Sequence, residues 1–125
     1  MANNVVEIAR RDTGEKIRGV SQVGLTNEVA GLLVAIQKNI FDKAIEFRKQ
    51  NTSTAADYAE FKNVILEKGG FVEVYWDGTG DDEGKIKEET KATIRCIPFK
   101  QDQPEGKCMY TGKPTTRRAI FAKAY

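Results

Sequence analysis

Histidine is absent from the 125 residues. With it go the commonest general acid–base group, the Ser–His and Cys–His nucleophile pairs and the commonest metal ligand. An autonomous hydrolase is therefore not expected. Cysteine is confined to Cys96 and Cys108, and without a secretory leader in MANNVVEIARRD these read as free thiols rather than a disulfide. No apolar run exceeds the eight residues 29–36, and Gly31 lies inside that one; a bilayer span needs roughly 20. Neither G-x-x-x-x-G-K-[ST] nor G-x-G-x-x-G occurs, so no phosphate-cradling loop is expected. These absences predict a soluble, cytoplasmic protein with no membrane partner and no catalytic residue of its own.

Neither sign of charge dominates. Lys and Arg number 20 against 18 Asp and Glu, a balance that neither demands nor excludes nucleic acid, because binding depends on how charge is distributed. Basic residues gather at Arg10–Arg11, at 113–118 and at Lys123. Acidic ones gather at 81–83 and 88–89.

Residues 5–9 read as a short strand before a turn at 12–15. A long helix follows over about 27–50, with Val29, Leu32, Leu33, Ile36, Ile40, Ala44 and Phe47 at three- and four-residue steps. Thr26 or Asn27 can cap it. A second helix over 55–68 opens on Thr54 and Asp57, a capping-box pattern, and stops at Gly69–Gly70. Its buried side is expected to be Tyr58, Phe61, Val64, Ile65 and Leu66. The strand 71–76 is rich in β-branched and aromatic types. A turn at 77–80 and a polar helix over 81–90 come next. Strands 92–97 and 118–122 flank the polar stretch 98–117, within which 107–110 can pair as a short strand. Cys96 alternates with Ile94 and is expected to fill the core. The fold class is α+β: a two-layer domain with a mixed sheet packed by two to three helices.

From Gly69 onward the chain resembles the C-terminal domain of prolyl-tRNA synthetases of the archaeal and eukaryotic type. GGFVEVYWDG (69–78), IKEETKATIRCIP (86–98), GKCMYTGKP (106–114) and AIFAKAY (119–125) carry the resemblance. Upstream, VVEIARRDTGEK (5–16) is similar to the last strand of that family's anticodon-binding domain, and IQKNIFDKAIEFR (36–48) to its connecting helix. The implied organisation is the end of the anticodon-binding domain, or a first strand, over 1–20, the connecting helix over 21–52 and the C-terminal α+β domain, with a degenerate zinc knuckle, over 53–125. The implied fold is similar to the C-terminal domain of bacterial translation initiation factor three.

The resemblance implies a homodimeric parent that joins proline to its tRNA, with ATP and Mg²⁺ held in a catalytic domain. No motif of that domain occurs here, so no cofactor is expected in this chain. A strand that begins almost at Met1 and needs partners favours a piece of the parent. The alternative is a stand-alone RNA-binding or protein-interaction module. Many relatives bind zinc through four cysteines at positions that here hold Asp77, Asp82, Cys108 and Thr111. One thiolate beside two carboxylates and a hydroxyl is a poor zinc set, so no metal is expected, and Asp77 and Thr111 are expected to bond amides of their own turns. Tyr125, by resemblance, reaches toward the active-site entrance of the parent. Arg10, Arg11, Lys113, Arg117, Arg118 and Lys123 are the candidates for tRNA phosphate contacts. Trp76 and Tyr110 are considered for base stacking, with the core as the commoner place for Trp76.

Overall fold

A computed structural model describes residues 4–101 and 104–123. The chain divides into two compact units, residues 1–48 and 49–125.

In the first unit, β1 (Val5–Ala9) pairs antiparallel with β2 (Lys16–Ser21). The register slips between Val6 and Ile8, where Gly19 sits at φ 71°. A residue with positive φ relieves such a bulge, and glycine takes it without a Cβ clash. β2 was not expected from the sequence, since Lys16, Arg18 and Gly19 break its apolar alternation. The helix α1 (Leu25–Gln50) starts earlier than expected. Thr26 and Asn27 lie inside its first turn, and the Asn27 and Glu28 amides donate to the Gly24 carbonyl instead of to a side-chain cap. No residue of α1 is buried; Val29, Leu33, Val34, Ile40 and Phe41 are all exposed.

The turn of this hairpin is fastened to α1 through Asp12. Arg10 donates to it from Nε (3.1 Å) and Nη2 (2.8 Å), and Asn39 Nδ2 donates at 2.7 Å. Lys43 Nζ donates to the Asp12 carbonyl at 2.8 Å. The Arg10 hydrogen bonds, joined by Asn39 and opposed by burial, hold the Asp12 carboxyl far below the usual carboxylate range. A depressed folded pKa adds stability that is complete above the unfolded value of about 3.9 and fades as pH falls through the folded one. Asp12→Asn is expected to remove this acid dependence and to unfasten the turn. Amide exchange of residues 10–16 would rise severalfold above that of the parent chain near neutral pH. Exchange that is unchanged there would count against the fastening.

The second unit is α+β in two layers. Its sheet has the order β3 (Thr52–Thr54), β4 (Phe71–Tyr75), β8 (Arg118–Lys123), β5 (Ala92–Cys96). β3 and β4 are parallel, while β8 is antiparallel to both β4 and β5, so the sheet is mixed. A short pair, β6 (Gly106–Lys107) with β7 (Pro114–Thr115), stands within the connection from β5 to β8. Lys107 therefore pairs, though Cys108, Met109 and Tyr110 leave the strand for a turn.

The β3–β4 crossover runs through α2 (Tyr58–Asn63), which continues as a π-helical turn over Val64–Lys68. Asp57 caps this helix, accepting from the Glu60 amide at 2.9 Å, while the Glu60 carboxylate accepts the Ala56 amide at 2.7 Å. Thr54 belongs to β3, so the expected Thr54–Asp57 box does not form. A box forms instead after β4: α3 (Gly80–Thr90) is capped by Thr79 and Asp82 reciprocally. Side chains of Phe61, Ile65 and Ile86 pack against Val72, Val74, Trp76, Ala119 and Phe121 in one core. Leu66, expected inside, is exposed: one position after Ile65 and five after Phe61, it lies off the face those two residues bury. Cys96 is exposed as well. A bulge between Ile94 and Cys96 inserts a residue in β5 and breaks the alternation that would have buried it.

Candidate functional site

Two places in the second unit gather polar chemistry: the knuckle around Cys108 and the face of the sheet away from the helices.

At the knuckle, β4 runs out through Trp76, whose indole is 6% exposed and meets the Phe121 ring at 5.3 Å. Trp76 is core, and a Cβ on Gly78 would overlap its indole, so glycine is required there. Cys108 is 2% exposed. Its Sγ accepts the Asp77 amide at 3.3 Å and the Thr111 amide at 3.5 Å. Burial pushes the thiol up, but hydrogen bonds from Thr111 (hydroxyl and amide), then from the Asp77 and Tyr110 amides, leave it below its ordinary value. Asp77 thus reaches Cys108 with its amide rather than bonding its own turn, while Thr111 Oγ1 accepts from the Lys113 amide at 3.4 Å as expected. Asp82 Oδ2 accepts from the amide and the hydroxyl of Thr79, both at 2.9 Å. Those bonds, with Lys85 and Lys113 nearby, depress its pKa. Tyr110 meets Tyr58 edge-on at 5.0 Å, and Tyr58 donates to Glu89 at 3.0 Å.

The basic positions are divided between the two units. Arg10 and Arg11 belong to the first unit, and the Arg10 guanidinium is taken up by Asp12. In the second unit, Lys113, Arg117 and Lys123 are exposed. Arg118 and Lys123 stand at opposite ends of β8, roughly 16 Å apart at the rise of a strand. Arg118 is half-buried: Nη1 donates to Glu73 at 3.1 Å and the guanidinium lies 4.5 Å from the Tyr75 ring centroid. Tyr125 lies outside the described residues.

Glu73, Tyr75 and Arg118 share the sheet face opposite Val72, Val74 and Ala119, with Tyr75 paired to Arg118 across the strands. A cleft of about 410 Å³ opens here, lined by Thr54, Ala55, Ala56, Glu73, Tyr75, Lys107 and Arg118, among others. Tyr75 is fixed by donating to the Pro104 carbonyl at 2.9 Å, and Gly106 lies against its ring so closely that a Cβ would overlap. Sequence reasoning missed Lys107, Glu73 and Tyr75. The alternation of 71–76 places Glu73 and Tyr75 off the core face, but no local signal brings Lys107 beside them.

A family model described as the C-terminal domain of prolyl-tRNA synthetase matches residues 58–125, more than half of the chain. The chain belongs to that family. It is 54% identical over all of its 125 residues to a proline–tRNA ligase of Porphyromonas gingivalis, covering 25% of that protein. It is 52% identical over 98% of its length to the proline–tRNA ligase of Cytophaga hutchinsonii, again 25% of that protein, and 50% identical over its whole length to that of Bacteroides fragilis, covering 26%. The chain thus spans about a quarter of the length of these relatives, and all three are bacterial rather than archaeal or eukaryotic.

The zinc implied by the resemblance does not fit this member. Cys108 is the one thiol at the four positions, and its sulfur already accepts backbone amides. The Asp82 carboxylate is committed to the helix cap. Among the described residues no three Cys, Asp or Glu side chains converge as a ligand group. No helix among them is long and apolar enough to cross a membrane.

Proposed function

We propose that this chain serves a proline–tRNA ligase as its C-terminal domain, an accessory body that supports tRNA and active-site positioning and carries no catalytic residue. The observation that carries this reading is the alignment of all 125 residues, at 54% identity, with a proline–tRNA ligase of which they cover 25%. The exposed apolar side chains of α1 support packing of the first unit against upstream parts of that enzyme. The motifs of residues 69–125 favour a parent built on the archaeal and eukaryotic plan.

In this reading the parent is a cytoplasmic homodimer with no membrane contact. Its catalytic domain holds ATP and Mg²⁺ and its substrates are proline and the matching tRNA. Arg11, Lys113, Arg117 and Lys123 are the exposed side chains that would meet tRNA phosphates, giving salt-sensitive contacts without base readout. Arg10 and Arg118 would do so only through what their carboxylate partners leave free. Tyr125 acts as a positioning residue at the entrance of the parent's active site.

The test is aminoacylation by the parent enzyme lacking residues 49–125, with proline activation followed in parallel by ATP–pyrophosphate exchange. The truncation is expected to lower transfer to tRNA more than it lowers activation. Appending a few residues after Tyr125 should do the same while leaving thermal melting unchanged. Full transfer by the truncated enzyme would refute the supporting role, and full transfer by the extended one would refute the role of Tyr125.

A further inference from the structure

On the open face of the sheet, Arg118 lines the cleft between β3 and β8 with a guanidinium that is only partly paired. Arg118 gives Nη1 to Glu73 and lays its guanidinium on Tyr75, yet its Nε is buried without a hydrogen-bond partner among the described residues. A buried N–H left unpaired is costly, and an anionic oxygen is the acceptor a guanidinium takes best. Lys107, from β6, lines the same space. Two cations therefore face one carboxylate, and Glu73 fixes the guanidinium while cancelling only half of the positive charge. Tyr75 is held by Pro104 and by Gly106, so the floor of the cleft is set before any ligand arrives. About 410 Å³ is within the range of small-ligand sites and ample for a tetrahedral oxyanion.

We propose that this cleft is a phosphate site, with Lys107 and Arg118 as its donors and Thr54 to Ala56 as its rim. Its occupant is a phosphate of an RNA backbone, which rests on the reading of the chain as part of a tRNA ligase; free phosphate shares the chemistry and is the other source. Sequence reasoning placed Arg118 among separate surface contacts. The geometry instead makes it half of a built pocket whose second half, Lys107, lies eleven positions earlier and reaches it only through the β6–β7 excursion.

The test is a titration of the 125-residue chain with inorganic phosphate, followed by amide chemical shifts, and repeated with a short single-stranded oligouridylate as competitor. Signals of Ala55, Ala56, Lys107 and Arg118 are expected to move together and to saturate. Lys107→Ala, at an exposed position, should weaken binding by about tenfold, the loss of one charge-assisted contact. Lys123→Ala, at the far end of β8, should change it less than about twofold. Arg118→Lys should weaken binding too, because it keeps the charge but loses Nε. Equal weakening by Lys107→Ala and Lys123→Ala, or no saturation, would overturn the site. Saturable phosphate binding that the oligouridylate does not displace would keep the site and remove RNA as its occupant, a failure of the tRNA reading alone.

Discussion

Replacing Phe121 by alanine is expected to lower the unfolding free energy of the second unit by about 3–5 kcal/mol. The ring is 0% exposed and meets Phe61 and Trp76 edge-on, each at 5.3 Å between centroids. Phe121 stands on β8, which lies between β4 and β5. The void would therefore open between the helix layer and the middle of the sheet, where neighbours on both sides are pinned by strand pairing and cannot collapse into it. A unit of 77 residues, 49–125, has a total stability of only about 4–12 kcal/mol, so the variant loses a large fraction of it. Phe99 is the control: it is 108% exposed, and Phe99→Ala should change stability by less than about 0.5 kcal/mol. Urea denaturation of both variants separates the cases. Equal midpoints would mean that the described core is wrong.

Cys108→Ala is expected to cost about 2–4 kcal/mol. The Asp77 and Thr111 amides would lose the sulfur that accepts them in a buried place, and each stranded donor costs about 1–3 kcal/mol. Cys108→Ser should fall between, since oxygen accepts but is smaller and sits deeper than sulfur. A second signature isolates the sulfur. The thiol pKa is lower folded than unfolded because the hydrogen-bond donors outweigh burial. Stability of the unit should therefore rise with pH from the folded value up to the unfolded one near about 8.5, and level off above it. Below the folded value that contribution is absent. Cys108→Ala should flatten this rise, as measured by urea unfolding between about pH 6 and about pH 9. Superimposable pH profiles for the two proteins would show that Cys108 does not organise the knuckle. Neither variant should respond to chelators if the knuckle is held by sulfur-to-amide bonds alone.

The helices and the main strands were legible because their signals are local. The three- and four-residue spacing of Tyr58, Phe61 and Ile65 and the alternation of Val72, Val74 and Trp76 each name a buried face directly. The failures were also physical. Thr52–Thr54 is a strand only because β4 lies parallel beside it, and three polar residues carry no pattern of their own. Lys16–Ser21 is a strand only against β1. The alternation of Ile94 and Cys96 predicted a common face, and one inserted residue at the bulge undid it. The apolar stripe of α1 is legible in the spacing but is not buried among the described residues, since a stripe states a need for cover without supplying it.

The candidate site divides in the same way. That Asp77, Asp82, Cys108 and Thr111 stand where many relatives carry four cysteines is what the resemblance implies, and the poor fit to zinc follows from those residue types. What each residue does instead could not be read that way. Asp82 turns to cap α3 because Thr79 lies three positions before it, and Cys108 becomes an acceptor because a hairpin brings it against the end of β4. The basic residues named from their clustering along the chain are split by the fold into different units and opposite strand ends, and two of them, Arg10 and Arg118, are paired with carboxylates.

Composition, periodicity and motif order by themselves determined the α+β class and the family. Those properties depend on residue identity and on spacing over a few positions, which the chain carries whatever its surroundings. Only the tertiary structure decided that the last strand is a central one, that Lys107 and Arg118 face one cleft and that a single sulfur joins the two knuckle loops. Each of these depends on contacts between segments distant along the chain, and strand order and register set them without leaving any local trace.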